Sequence, residues 1–343
     1  MLIQAVCDDP VHIQTGNTAD NIYYRRKKVD EAAIKKIIAE IESKLTGDPE
    51  HDAEIWDEYG EQYRGKPGAE PLLMEIGRRL FALAAEADGI SPEEIFDDMV
   101  STADEDYEEA CRLIEQRQYE EAAHKLLVLT AVYSAYPLPE DTVWKDFHSY
   151  LDSLIYQDYF EEEIAGREIG RHPMRPGRIL YTCGNLFIEM GEAEQAIEPL
   201  QMLLDCDPVC PQYLFELGEA YKRTGRLQDA YNTAKWSLHC ASNREELARG
   251  YRDIAYCFSE TGSYEDAVML YLLSLRFHAS RQAEAEIAWI QKQSGVAAEN
   301  FHEEDILQRC KELDIPTGLS EVVENNLALL DMLMGDQNKD EEN

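Results

Sequence analysis

Apolar side chains recur at helical spacing along most of this chain. Over 29–46, Val29, Ala33, Ile34, Ile37, Ile38, Ile41 and Leu45 share one side of a predicted helix, and Gly47 stops it. A last helix, about 319–334, carries Val322, Val323, Leu327, Leu330 and Leu333 on one side. Between Gly177 and Ser242 the pattern repeats itself. Gly184 and Gly218, Gly191 and Gly225, and Ala196 and Ala230 each lie 34 residues apart, as do Cys206 and Cys240. A third copy follows after a step of 37, with Ala255, Phe258, Gly262, Ala267 and Tyr271.

Helix–turn–helix packing accounts for these residue types. Small residues (Gly184, Gly218, Ala255, Ala196, Ala230, Ala267) suit places where two helices approach closely, and Phe187, Tyr221 and Phe258 fill the space beside them. Gly191, Gly225 and Gly262 are placed to end each first helix in a left-handed conformation, and Pro208 follows a second helix that it can no longer break. One such pair cannot bury its apolar side alone, so neighbours must stack.

The pattern extends with lower fidelity. Ala110, Leu113, Tyr119, Ala122 and Leu126 mark an earlier copy, and Trp56, Tyr59, Gly60 and Tyr63 keep the spacing W-x2-L-G-x2-Y, with Leu72 where a small residue is usual. Residues 141–173 read as two helix-length stretches closed by Pro173, with Phe160 in place of the small residue. Segment 281–316 is punctuated by Gly295 and Pro316.

This combination resembles the tetratricopeptide repeat (TPR) family. The resemblance implies an all-α fold of TPR-like helix-turn-helix repeats forming a right-handed superhelix, an α-solenoid. The expected organisation is an irregular arm over 1–28, a helical region with one degenerate unit over 29–102, the array over 103–316, a capping helix over 317–334 and a frayed acidic tail over 335–343.

Charge narrows the partners. The 343 residues include 69 acids and 32 bases, a formal net charge of −37, which disfavours nucleic acid and anionic membrane surfaces. No stretch reaches about 18 consecutive apolar residues. The first residues lack the basic and apolar regions of a secretory signal. The eight cysteines are scattered, as expected of reduced thiols in a cytoplasmic protein.

Catalytic and cofactor motifs are missing: there is no phosphate-binding Gly-rich loop, H-E-x-x-H or G-x-S-x-G. Cys206 and Cys210 at C-x3-C spacing, with His239 and Cys240, invite a zinc reading, but Cys206 and Cys240 occupy equivalent places in successive repeats and favour buried thiols. Carboxylates are so abundant that their proximity in sequence carries little information. No cofactor and no metal are therefore expected, and a metal-dependent hydrolase stands only as a remote alternative.

In the family, first helices line an inner groove. Carried onto this chain, its places fall on Tyr181, Asn185 and Ile188, then Phe215, Glu219 and Lys222, then Arg249, Arg252 and Tyr256. An amide such as Asn185 can pair with an extended backbone, and Arg249 and Arg252 can take a carboxylate bidentately. Glu219 and Asp253 depart from the chaperone-binding subset of the family. Arg167, Arg171, Arg175 and Arg178 form a second basic cluster, read chiefly as arginines meeting helix C-termini and otherwise as an anion or partner patch. The expected function is a non-catalytic adaptor holding another protein or peptide. The alternative is a peptide-sensing regulator whose N-terminal helices contact a target.

Overall fold

The computed structural model describes residues 31–63, 70–87, 92–136, 138–139 and 141–340. The arm expected over 1–28 lies outside them. Helices dominate the described residues: α1 (Glu31–Glu42), α2 (Pro49–Tyr63), α3 (Glu70–Ala87), α4 (Pro92–Glu115), α5 (Tyr119–Ala135), α6 (Tyr150–Tyr159), a short α7 (Glu161–Ile164), α8 (Pro176–Met190), α9 (Ala193–Cys206), α10 (Pro211–Arg223), α11 (Leu227–Cys240), α12 (Arg244–Glu260), α13 (Tyr264–Phe277), α14 (Arg281–Ser294), α15 (Glu303–Glu312) and α16 (Glu321–Asp340). None of the described helices is long and apolar enough to cross a membrane.

Two compact units share the chain. Of the described residues, one unit holds those up to Asp146 with Arg167–Leu186; the other holds Phe147–Gly166 and those from Phe187 onward. In the first, the predicted face of α1 is realised: Ile41, Trp56, Leu72 and Ile76 are buried together, with Ile34, Ile37, Ile38 and Leu45 against them. Each fully buried side chain of this kind contributes about 1.5–3 kcal/mol.

The stretch 141–173 departs from expectation. It holds two four-residue strands, β1 (Thr142–Lys145) and β2 (Glu168–Arg171), paired in parallel with Thr142 opposite Glu168 and Lys145 opposite Arg171. Parallel strands need a long connection between them, and the helical residues 150–164 supply it. Gly170 is required by the approach: a Cβ there would lie 2.7 Å from Thr142 Cγ2 and 2.9 Å from Trp144 Cζ3.

In the second unit α9 to α14 each pack on the next helix along the chain, as short-linked hairpins must. Ala196, Ala230, Ala255 and Ala267 are buried at the helix contacts. The glycines behave differently from expectation. A Cβ on Gly218 would meet only Thr233 Cγ2 at 4.0 Å, whereas one on Gly250 would lie 2.6 Å from Leu238 Cδ2. The close approach is therefore at Gly250.

The turns match the sequence reading. Gly191, Gly225 and Gly262 have φ of 82°, 73° and 78°. The next residue closes each turn: Glu192 N donates to Phe187 O, Arg226 N to Tyr221 O and Ser263 N to Phe258 O, at 2.8, 2.9 and 2.9 Å. The same closure recurs where Arg117 (φ 61°) and Asp314 (φ 54°) hold the left-handed position.

A C-terminal segment crosses this unit. Arg309 pairs with both oxygens of Asp266 at 2.7 and 3.0 Å, Asp314 accepts from the buried Lys235 Nζ at 2.9 Å, and Pro316 O accepts from Tyr251 Oη at 2.8 Å. Ser320 Oγ donates to His239 O at 2.8 Å. Helix α16 then packs on α6, with Asn326 Nδ2 donating to Asp158 Oδ2 at 2.7 Å. Helix α16 runs to Asp340, through most of the expected tail, and α4 runs unbroken through the boundary expected near residue 102.

Candidate functional site

Six of the nine predicted groove residues share one patch in the second unit. On α12, Arg249, Arg252, Asp253 and Tyr256 fall at i, i+3, i+4 and i+7 and so occupy one side of the helix. On α10, Phe215, Glu219 and Lys222 fall at i, i+4 and i+7, with Glu216 next to Phe215. Pairing consumes much of the positive charge. Lys222 Nζ lies 2.9 Å from Glu219, 3.0 Å from Asp253 and 5.5 Å from the Tyr256 ring centroid. Burial alone would lower the pKa of this ammonium, but Asp253 and Glu219 outweigh burial and hold it above its ordinary value. Phe215 is buried, with the Arg249 guanidinium 4.4 Å above its ring, and Arg249 also reaches Glu216 at 3.4 Å.

Arg252 differs. It is partly buried and, among the described residues, makes no ion pair, and its buried Nη1 finds no hydrogen-bond partner there. Burial lowers its pKa; Asp253 opposes that shift and Arg249 adds to it. Tyr181 and Asn185 stand on the part of α8 that belongs to the first unit, both partly buried.

The second basic cluster is dispersed. Arg171 lies on β2 and donates to the buried Asp146 at 3.1 Å. Arg178 sits in the first turn of α8, the end where a helix dipole disfavours cations, so the expectation of C-terminal placement fails for it. Asp104 and the Tyr107 ring, 4.6 Å away, hold it there. Arg175 is exposed with φ of 50°, and Arg167 is exposed before β2. Between them His172 is buried: its Nδ1 accepts from Met174 N at 3.1 Å and its ring meets those of Tyr133 and Tyr136 edge-on. Burial lowers its pKa to about 4.

The sequence reading missed one constellation. Asp152, Asp207 and Cys210 are all buried, with carboxylate oxygens and thiol sulfur within 4.8 Å of one another. Asp152 is the third residue of α6 and completes a capping box: its Oδ2 accepts from Ser149 N at 2.9 Å and its N–H donates to Ser149 Oγ at 3.1 Å. Asp207, between α9 and α10, accepts from His148 N at 2.8 Å and Val209 N at 3.3 Å. The two carboxyl groups lie close enough to act on each other's charge. Burial, then the Asp152 charge, raises the Asp207 pKa well above its ordinary value, and burial raises that of Asp152. Burial, then Asp207, likewise pushes the Cys210 thiol up. To hold a metal ion these groups would have to give up their protons, since a metal needs deprotonated ligands.

Of the four residues in the zinc reading only Cys210 belongs to this cluster. Cys206 donates its thiol to Met202 O at 3.4 Å, and His239 packs on Trp236. No disulfide links the described cysteines. Comparison with protein-family models and with curated proteins finds no match to this chain.

Proposed function

We propose that α9–α14 form a TPR-like stack, the repeating portion of an α-solenoid, and that the patch shared by α10 and α12 binds a carboxylate-bearing segment of another protein, a non-catalytic adaptor role. The observation that carries this reading is Arg252. With 69 acids to 32 bases, intramolecular acceptors are plentiful, yet its Nη1 is buried with none. A buried, unsatisfied donor costs about 1–3 kcal/mol, and an arriving carboxylate would satisfy it bidentately with charge assistance. Arg249 stands three residues away on the same side, and Tyr256 offers a ring for the adjoining apolar part of a ligand. The recurring turns, the buried alanines and the serial packing of hairpins support the repeat reading.

The test is a peptide library displayed against the full chain. Acidic peptides should be retained over their amide-substituted counterparts, and the double variant R249A/R252A should weaken binding tenfold to about a hundredfold, as for the loss of one charge-assisted contact. A library showing no preference for carboxylates, or equal affinities for wild type and the double variant, would overturn the assignment.

A further inference from the structure

We propose that Asp152 and Asp207 form a proton-operated latch: a shared proton holds the start of α6 on the α9–α10 turn, and its loss to solvent loosens that junction.

The geometry carries the inference. Asp207 accepts N–H groups from both sides of the junction, His148 from the segment leading into α6 and Val209 from its own turn. Asp152 accepts Ser149 N and meets Asp207. Their oxygens lie within 4.8 Å of each other, and Asp207 is 0% and Asp152 6% exposed, so one proton between them relieves the repulsion. Neither forms a salt bridge to a lysine or arginine among the described residues. Like charges placed this close in a desolvated site cannot both ionise at ordinary pH.

Among the described residues the ionisable groups around the pair supply little countercharge. His148 is the one cation acting on Asp152, and it stands on an exposed residue where solvent screens it. Cys210 opens α10 and Cys240 closes α11, both buried thiols raised by burial first. Glu246 of α12 and, along α6 itself, Asp158 and Tyr159 add only negative or neutral groups. Removing the proton therefore leaves two buried negative charges facing each other, offset only by the exposed His148, and the relief open to them is separation.

Separation has a defined consequence because α6 is a bridge. At its far end Tyr159 Oη lies 3.1 Å from both His239 O and Ser320 Oγ, and Asp158 receives Asn326 of α16. Loosened at its N-terminus, α6 is left held by that end and by the buried Ile155 and Tyr156.

The sign follows from the raised values. The stabilisation is whole below the ordinary carboxyl value of 3.8 and is lost as pH rises through the raised one. Thermal unfolding of the full chain from about pH 5 to about pH 8 tests it, with Asp152→Asn as a permanent mimic of the protonated partner. The amide of D152N keeps an oxygen for Ser149 N and turns an N–H donor towards Asp207, whose two oxygens both accept backbone N–H groups. The Tm difference, variant minus wild type, should be near zero at the acid end and grow positive towards the alkaline end. Protection factors of the His148 and Ser149 amides should fall with pH in wild type and stay level in D152N. Should the variant destabilise the fold, infrared spectra of wild type decide: a protonated-carboxyl C=O band persisting at neutral pH is required. Parallel pH profiles, no such band, or a pH dependence abolished by added zinc ion would each overturn the latch.

Discussion

At the scale of single residues, two glycines in similar helical settings carry opposite demands. An added methyl at Gly250 would lie 2.6 Å from Leu238 Cδ2 and 3.0 Å from its Cγ, while Gly218 has room. Gly250→Ala is expected to cost about 1–3 kcal/mol through overpacking. Gly218→Ala should stabilise by about 0.5–1 kcal/mol by restricting the unfolded chain within a helix. Urea denaturation of the two variants measures both. Periodicity picked out Gly218 because it recurs at matched intervals. It passed over Gly250 because that contact depends on where one leucine side chain reaches, which no repeat spacing encodes. The turn glycines were legible for the reverse reason, since a left-handed φ is a local demand of the backbone.

At the scale of elements, helices with long amphipathic faces could be read and the small sheet could not. Thr142–Lys145 and Glu168–Arg171 are four residues each, too short for an alternating pattern to stand out from neighbouring helical periodicity. The Asp152–Asp207 contact joins positions 55 apart across two helices, and with acids this frequent the pair had no mark in sequence. The β1–β2 region also carries its own acid sensitivity through His172. Its value is depressed from 6.5 to about 4, so the unfolded chain takes up a proton that the folded one refuses. Stability is whole above 6.5 and is lost as pH falls from 6.5 through 4, by up to about 3 kcal/mol. Denaturant titrations over that window should show the loss in wild type and a smaller one in H172Q. Equal slopes would remove His172 as the cause.

For the whole molecule, charge is the dominant global property. A net −37 repels itself, and counterions relieve the strain without touching any specific contact. Raising salt from about 10 mM to about 0.5 M should therefore raise Tm by on the order of 2–5 °C, as read by calorimetry. Insensitivity to salt would mean that the negative surface is already neutralised by local pairing. The same excess of acids gives Arg252 its meaning, since an arginine left without a mate is least expected where mates are commonest.

The C-terminal segment adds a constraint on how this chain can vary. Residues 309, 314, 316 and 320 clasp four stations in turn: Asp266 on α13, Lys235 on α11, Tyr251 on α12 and His239 at the end of α11. Such a strand works as a ruler. Duplicating or deleting one helical hairpin beneath it would displace some stations and not others, stranding the ammonium of Lys235 from its counterion. Repeat proteins commonly change length by gain or loss of whole units; here the hairpins spanned by the ruler are fixed in number.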